Sequence, residues 1–140
     1  MKKENALRKL VKNLFADDEG VHLTWIESHA TALGAPDIQY CCDSVEGWME
    51  LKAGPDIDVK ASQVTWMRKH IAAGGYPLFL IQWSNMFLIV AGSRAKSLRN
   101  DPSLENIIKQ ASSYWSGELT EERMRIIMKQ ADLAFRLTPD

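Results

Sequence analysis

The chain has 140 residues, 46% apolar and 25% charged, which suits one globular domain able to bury a core without disulfide or metal staples. Its formal net charge of −1 singles out no class of partner. The longest apolar stretch, residues 76–92, is broken by Gln82-Trp83-Ser84-Asn85 and is too short to span a bilayer, and residues 1–5 lack a signal peptide's apolar run, so a cytoplasmic location is expected.

Leu7, Leu10, Val11, Leu14 and Phe15 recur at helical spacing and predict an amphipathic helix over residues 4–16, ended by Asp17-Asp18-Glu19-Gly20. Residues 21–28 read as a strand and 29–35 as a loop. A second strand follows over 37–42, then a turn at Asp43-Ser44 and a third strand over 48–52, which Ala53-Gly54-Pro55-Asp56 breaks. Val64, Met67 and Ile71 predict a helix over about 60–73, closed by Gly74-Gly75. Residues 78–83 and 86–90 are nearly continuous apolar runs joined by Ser84-Asn85, the pattern of a buried hairpin. Asp101-Pro102 starts a helix carrying Leu104, Ile107, Ile108 and Ala111. Thr120-Glu121-Glu122 opens a last one with Met124, Ile127, Met128, Ala131 and Phe135. The order predicts an α/β (α+β) fold: a mixed central sheet of about five strands flanked by helices, with two additional C-terminal helices. One domain is expected, with a core over 4–92 and a helical extension over 98–140.

Charge is unevenly distributed. Residues 59–100 contain no Asp or Glu but carry Lys60, Arg68, Lys69, Arg94, Lys96 and Arg99. A second basic group, Lys2, Lys3, Arg8, Lys9 and Lys12, lies at the N-terminus. A neutral chain of this kind can present a basic surface to a polyanion, although solvated surface charge accounts for the same pattern. Cys41 and Cys42 are adjacent, which favours neither a relaxed disulfide nor a zinc site; reduced strand residues are expected.

The chemistry concentrates at Pro36-Asp37 and, after twelve intervening residues, at Glu50-Leu51-Lys52. Strand alternation turns Glu50 and Lys52 to one face and Leu51 to the other. If the two strands pair as a hairpin, Asp37 comes alongside Glu50, with an ammonium beside both. Strand interiors seldom carry Glu and Lys on a core-adjacent face without a use for them. Mg²⁺ prefers oxygen ligands and is commonly held by one or two carboxylates with water and phosphate oxygens. Asp37, Glu50 and the Leu51 backbone carbonyl are the expected ligands, and Lys52 would orient or deprotonate water or offset transition-state charge. Two such close carboxylates also need a cation to stay ionised together.

Residues 27–83 resemble the PD-(D/E)xK nuclease superfamily, especially its small phage and VRR-NUC-like members and Holliday-junction resolvases. Gly34-Ala35-Pro36-Asp37-Ile38 is similar to the family's entry motif, Trp48-Met49-Glu50-Leu51-Lys52 to its acid-x-lysine strand, and Gln63-Val64-Thr65-Trp66 to the opening of its next helix. The resemblance implies a restriction-endonuclease-like core and a DNA endonuclease using Mg²⁺, for which Mn²⁺ substitutes, and leaving 5′-phosphates. It also implies catalytic roles for Asp37, Glu50, Lys52 and Gln63. Many members place a glutamate on the first helix as a further ligand or water-positioning group; Glu4 is the candidate, with a surface acid at a helix start the plainer reading. Ser28 falls where resolvases often carry an active-centre serine.

Lys60 and Ser62, at the N-terminus of the predicted helix, are candidates to meet phosphate, with Arg68 and Lys69 as further DNA contacts. His22, His29 and His70 have no metal-ligand spacing; His29 is notable only for following Ser28. Of the five tryptophans Trp66 is expected nearest the cleft, although core filling accounts for all of them. The expectation is a nuclease for branched or structured DNA, homodimeric so as to cut two strands, its interface drawn from the apolar faces of 104–111 and 124–135. A catalytically inactive DNA-binding or inhibitory protein on the same fold is the alternative.

Overall fold

The computed structural model describes residues 2–27 and 33–137. Among them the chain runs α1 (Lys2–Leu14), β1 (Val21–Trp25), β2 (Ile38–Cys42), β3 (Val45–Ala53), α2 (Ala61–Ala72), β4 (Leu78–Trp83) and β5 (Met86–Ala91). After a 3₁₀ turn at Gly92–Arg94 come α3 (Ala95–Asn100), α4 (Leu104–Gln110), β6 (Ser113–Ser116), α5 (Glu121–Lys129) and α6 (Ala131–Leu137). No helix of the described residues is long and apolar enough to cross a membrane.

The strands form one mixed sheet in sequence order. β3 and β4 are parallel, with α2 between them in the chain, and every other neighbouring pair is antiparallel. β2 and β3 form a tight hairpin across Asp43 and Ser44, both at positive φ (47° and 75°), the two-residue geometry whose twist matches the strands. So short a turn pairs the strands at once, and β3 therefore starts at Val45 rather than at Trp48 as expected.

Alternation gives the sheet two apolar faces. Met49, Leu51, Leu78, Leu80 and Ile89 face α1, α5 and α6, meeting Leu7, Val11, Met124 and Met128. Phe79, Ile81, Leu88 and Val90 face α2, α3 and α4, meeting Met67, Leu98 and Ile107. The architecture is thus helices, sheet, helices, and the buried apolar area on both faces supplies its main stabilisation.

Among the described residues the strand count is six, not five. β6, Ser113–Ser116, pairs with β5 inside the region expected to be helical. In place of the expected pair of C-terminal helices the described residues form four, α3 to α6: α3 precedes Asp101-Pro102, α4 is capped by Ser103 rather than Asp101, and the last helix is interrupted at Gln130. β1 ends at Trp25, α1 at Leu14. Ser28 and the first part of the expected loop, from His29 to Ala32, lie outside the described residues.

Gly34 lets the segment leading into β2 lie against the start of α2. Its φ is +82°, and a Cβ there would fall 2.1 Å from the Ser62 carbonyl oxygen, a backbone atom that cannot swing aside. Gly34→Ala is therefore expected to destabilise the protein by roughly 1–3 kcal/mol. Urea unfolding of the variant against wild type checks this, and an unchanged midpoint would remove the claimed close approach.

Candidate metal centre and cleft

The site begins where two strands part. β2 starts at Ile38, opposite Met49, while β3 runs on to Ala53. Glu50, Leu51 and Lys52 thus keep β4 on one edge but lose β2 on the other. Pro36 has no N–H, and Asp37 closes the gap. Its Oδ2 accepts the Leu51 N–H at 2.9 Å, and its own N–H donates to Glu50 Oε1 at 3.1 Å. The two acids are locked together because each satisfies a backbone group the split ladder would strand.

The remaining contacts tie the pair to both helical layers. From α1, Arg8 Nη1 donates to Asp37 Oδ1 at 2.8 Å. From α2, Gln63 Nε2 donates to Glu50 Oε2 at 2.8 Å. Gln63 Oε1 accepts from Lys52 Nζ at 3.1 Å and from the Lys60 N–H at 2.9 Å, so one amide caps the helix and bridges acid to lysine. Lys52 Nζ also donates to the Asp58 carbonyl at 2.7 Å and lies 3.3 Å from Glu50 Oε2. Asp37, Glu50 and Lys52 are only 5%, 3% and 6% exposed, three buried ionisable groups in one place.

Glu4 projects from the first turn of α1 toward this pair. One oxygen from each of Glu4, Asp37 and Glu50 lies within 4.8 Å of the other two. Arg8 neutralises Asp37 and Lys52 neutralises Glu50. Glu4 has no ion-pair partner among the described residues, so with all three acids ionised the cluster carries one more negative than positive charge. Burial pushes the Glu50 carboxyl up to about 8, the Asp37 charge adds to that, and Lys52 opposes it.

These residues floor a cleft of about 740 Å³. Lys3, Lys52 and Lys60 line it, against the carboxylates of Glu4, Asp37, Glu50, Asp56 and Asp58. Carboxylates thus outnumber ammonium groups in this lining. An all-oxygen donor set, closely spaced and short of positive charge, fits a hard divalent ion.

Of the residues singled out from sequence, Asp37, Glu50, Lys52, Gln63 and Glu4 converge, with Lys60 and Ser62 at the rim. Arg68 and Lys69 are exposed on α2 but do not line the cleft, since they lie more than a helical turn beyond Gln63. Trp66 packs edge-on to Trp48 (5.1 Å between centroids) and stacks on His70 (4.6 Å), so it serves the seam between β3 and α2. Cys41 and Cys42 are free, on β2. Arg8 was not among the site candidates; its signal was the spacing of four from Glu4, which puts both on one face of α1. No family model matches the chain, and no curated protein matches it either.

The raised Glu50 carboxyl has a thermodynamic consequence in metal-free protein. Between the ordinary carboxyl range and about pH 8 the folded state holds a proton that the unfolded state has released. Folding is then progressively disfavoured as pH rises through that window. His70, held below its ordinary value by burial, contributes in the opposite direction, so the comparison must isolate Glu50. In EDTA, the stability of Glu50→Gln relative to wild type should increase steadily from pH 5 to pH 8. Thermal melts across that range decide it; parallel curves would remove the proton from Glu50.

Proposed function

We propose that this chain is a divalent-metal-dependent DNA endonuclease that hydrolyses phosphodiester bonds in branched or structured DNA, on a restriction-endonuclease-like core of the PD-(D/E)xK type. The observation that carries the reading is the triangle of Glu4, Asp37 and Glu50 oxygens beside Lys52, at the floor of a cleft short of positive charge. The order helix, hairpin-containing strands, helix, parallel strand agrees with that core.

Asp37, Glu50 and Glu4 would hold the ion, Mg²⁺ in this reading with Mn²⁺ as a substitute. Leu51 offers a further ligand: its N–H already points to the open edge, and a strand residue presents its carbonyl to the same edge. When bound, the ion would acidify water and offset charge building on the scissile phosphate. The protein's own groups then have separate tasks. Lys52, its donors engaged by Asp58, Gln63 and Glu50, is a fixed positive charge beside the reacting phosphate. Gln63 keeps Lys52 and Glu50 in register. Lys60, Ser62 and the N-terminal end of α2 meet the phosphate chain at the rim.

The alternative, an inactive DNA-binding or inhibitory protein, draws on the ion pairs that already neutralise Asp37 and Glu50. Uncompensated Glu4 favours the metal-dependent reading. Symmetric cutting of two strands would call for a homodimer, but the apolar faces expected to form it are largely spent inside the chain: Ile107, Met124, Met128 and Ala134 are buried. Tyr114, Ile126 and Leu137 remain exposed to serve such an interface.

Plasmid, single-stranded and four-way-junction DNA incubated with Mg²⁺, Mn²⁺ or EDTA should be cut only with metal. Asp37→Ala, Glu50→Ala and Lys52→Ala should each slow cutting by roughly 10²-fold or more. Strong cutting in EDTA, or wild-type rates in all three variants, sinks the assignment. DNA affinity in EDTA over a salt series addresses the approach to the cleft. Lys60→Ala should shallow the slope by about one counterion, whereas Arg68→Ala, away from the cleft, should change it less; the reverse ordering would move the DNA to another face.

A further inference from the structure

Asp37 enters this site with both oxygens taken. Oδ2 is held by the Leu51 amide, part of the backbone split between β2 and β3 and not free to leave. Oδ1 is held by Arg8, whose position is quite different. Its side chain is 23% exposed, against 8% for that of Asp37, and it belongs to α1, the helix that also supplies Glu4. The guanidinium carbon lies 5.0 Å from the Trp25 ring centroid, and the same ring takes the Lys12 ammonium at 4.8 Å. Arg8 therefore has an aromatic face and solvent to turn to when it lets Asp37 go.

We infer that Arg8 is an internal counter-cation that occupies Asp37 Oδ1 until a divalent ion takes that oxygen, and that it thereby sets the metal affinity of the site; the inference rests on the metal-binding reading above. A buried carboxylate left beside Glu50 with no cation is strongly destabilising, so the metal-free protein needs Arg8. A divalent ion between Glu4, Asp37 and Glu50 brings that charge itself, and its presence within reach of the same oxygen repels the guanidinium. Metal and Arg8 are thus alternatives at one atom. A purely structural ion pair joining α1 to the segment just before β2 makes the opposite prediction, because without Arg8 the Asp37 carboxylate would lose its orientation and bind metal no better.

Calorimetric titration of Mn²⁺ into full-length wild type, Arg8→Met, Arg8→Lys and Asp37→Asn tests this, with thermal melts in EDTA and in saturating Mn²⁺. Arg8→Met is expected to bind Mn²⁺ about tenfold more tightly, the order of one charge-assisted hydrogen bond. Arg8→Lys, a weaker competitor, should show a smaller rise. Arg8→Met should also melt lower than wild type in EDTA, and saturating Mn²⁺ should close most of that gap. If Arg8→Met does not fold, Arg8→Lys carries the test alone. Affinity at or below wild type in the folded variants, with wild-type binding intact and lost in Asp37→Asn, overturns the role of Arg8 and leaves the metal centre standing. Absence of Asp37-dependent Mn²⁺ binding in wild type overturns the metal reading, and this inference with it.

Discussion

A short stretch of β3 runs beyond its partner strand, and most of the site follows from how the chain deals with that. Buried backbone donors cannot be left without acceptors, because the loss of water is not repaid. Past Met49 the β2 ladder has ended, and the Leu51 amide turns to the Asp37 carboxylate. The Asp37 amide in turn uses the Glu50 carboxylate. Two acids thereby face each other at the bottom of a cleft, in a geometry set by backbone hydrogen bonding before any ligand is considered. Displacing either carboxylate would cost a buried backbone bond as well as a charge contact, so the pair is far stiffer than two side chains on a surface.

That stiffness has an electrostatic cost. Burial first, and then the charge of neighbouring Asp37, drive Glu50 toward its neutral form. The fold answers with cations from both layers: Arg8 from α1 and Lys52 from within the strand, the latter held by the Asp58 carbonyl and by Gln63 of α2. Lys52 is itself positioned by packing some distance away. Ile57, Val59 and Met67 anchor the segment that carries the Asp58 carbonyl and the first turn of α2 against β4 and β5. The apolar core beneath the sheet is what keeps an ammonium aligned beside an acid pair, to which Glu4 adds a third carboxylate with no ion-pair partner among the described residues.

Legibility in the sequence tracks the range of the interactions. The acid pair, Lys52 and Gln63 stood out because strand alternation and helix start signals are local, and the same period-two logic placed Leu51 in the core. The α1, α2, β4 and β5 segments were readable for the same reason. β6 was not: Ser-Tyr-Trp-Ser is four residues, mostly exposed, and becomes a strand only because β5 offers it an edge. α3 was missed because it lacks a side-chain cap and has only six residues. The break at Gln130 carries no glycine or proline to announce it. Arg8 was hidden differently. It reads as one of several N-terminal basic residues, and only the docking of α1 onto the sheet brings it across 29 positions to Asp37.

The acids of the cluster are consequently held by two unlike mechanisms. Asp37 and Glu50 are cross-braced through main-chain atoms, and the strand they flank is clamped from behind: Tyr40 donates its hydroxyl to the Met128 carbonyl, and Arg125 on α5 grips Asp18 and Asp43 at the two ends of the neighbouring loops. Glu4 has no such brace. It reaches the pair only because Leu7, Val11 and Phe15 seat α1 on the sheet, and it lies in the first turn of that helix, where fraying begins. A small shift of α1 would therefore withdraw Glu4 and Arg8 together while leaving the acid pair intact. Glu4 and Arg8 carry opposite charges on one rigid element, so the seating of a single amphipathic helix governs whether both reach the acid pair while the net charge of the cluster stays the same.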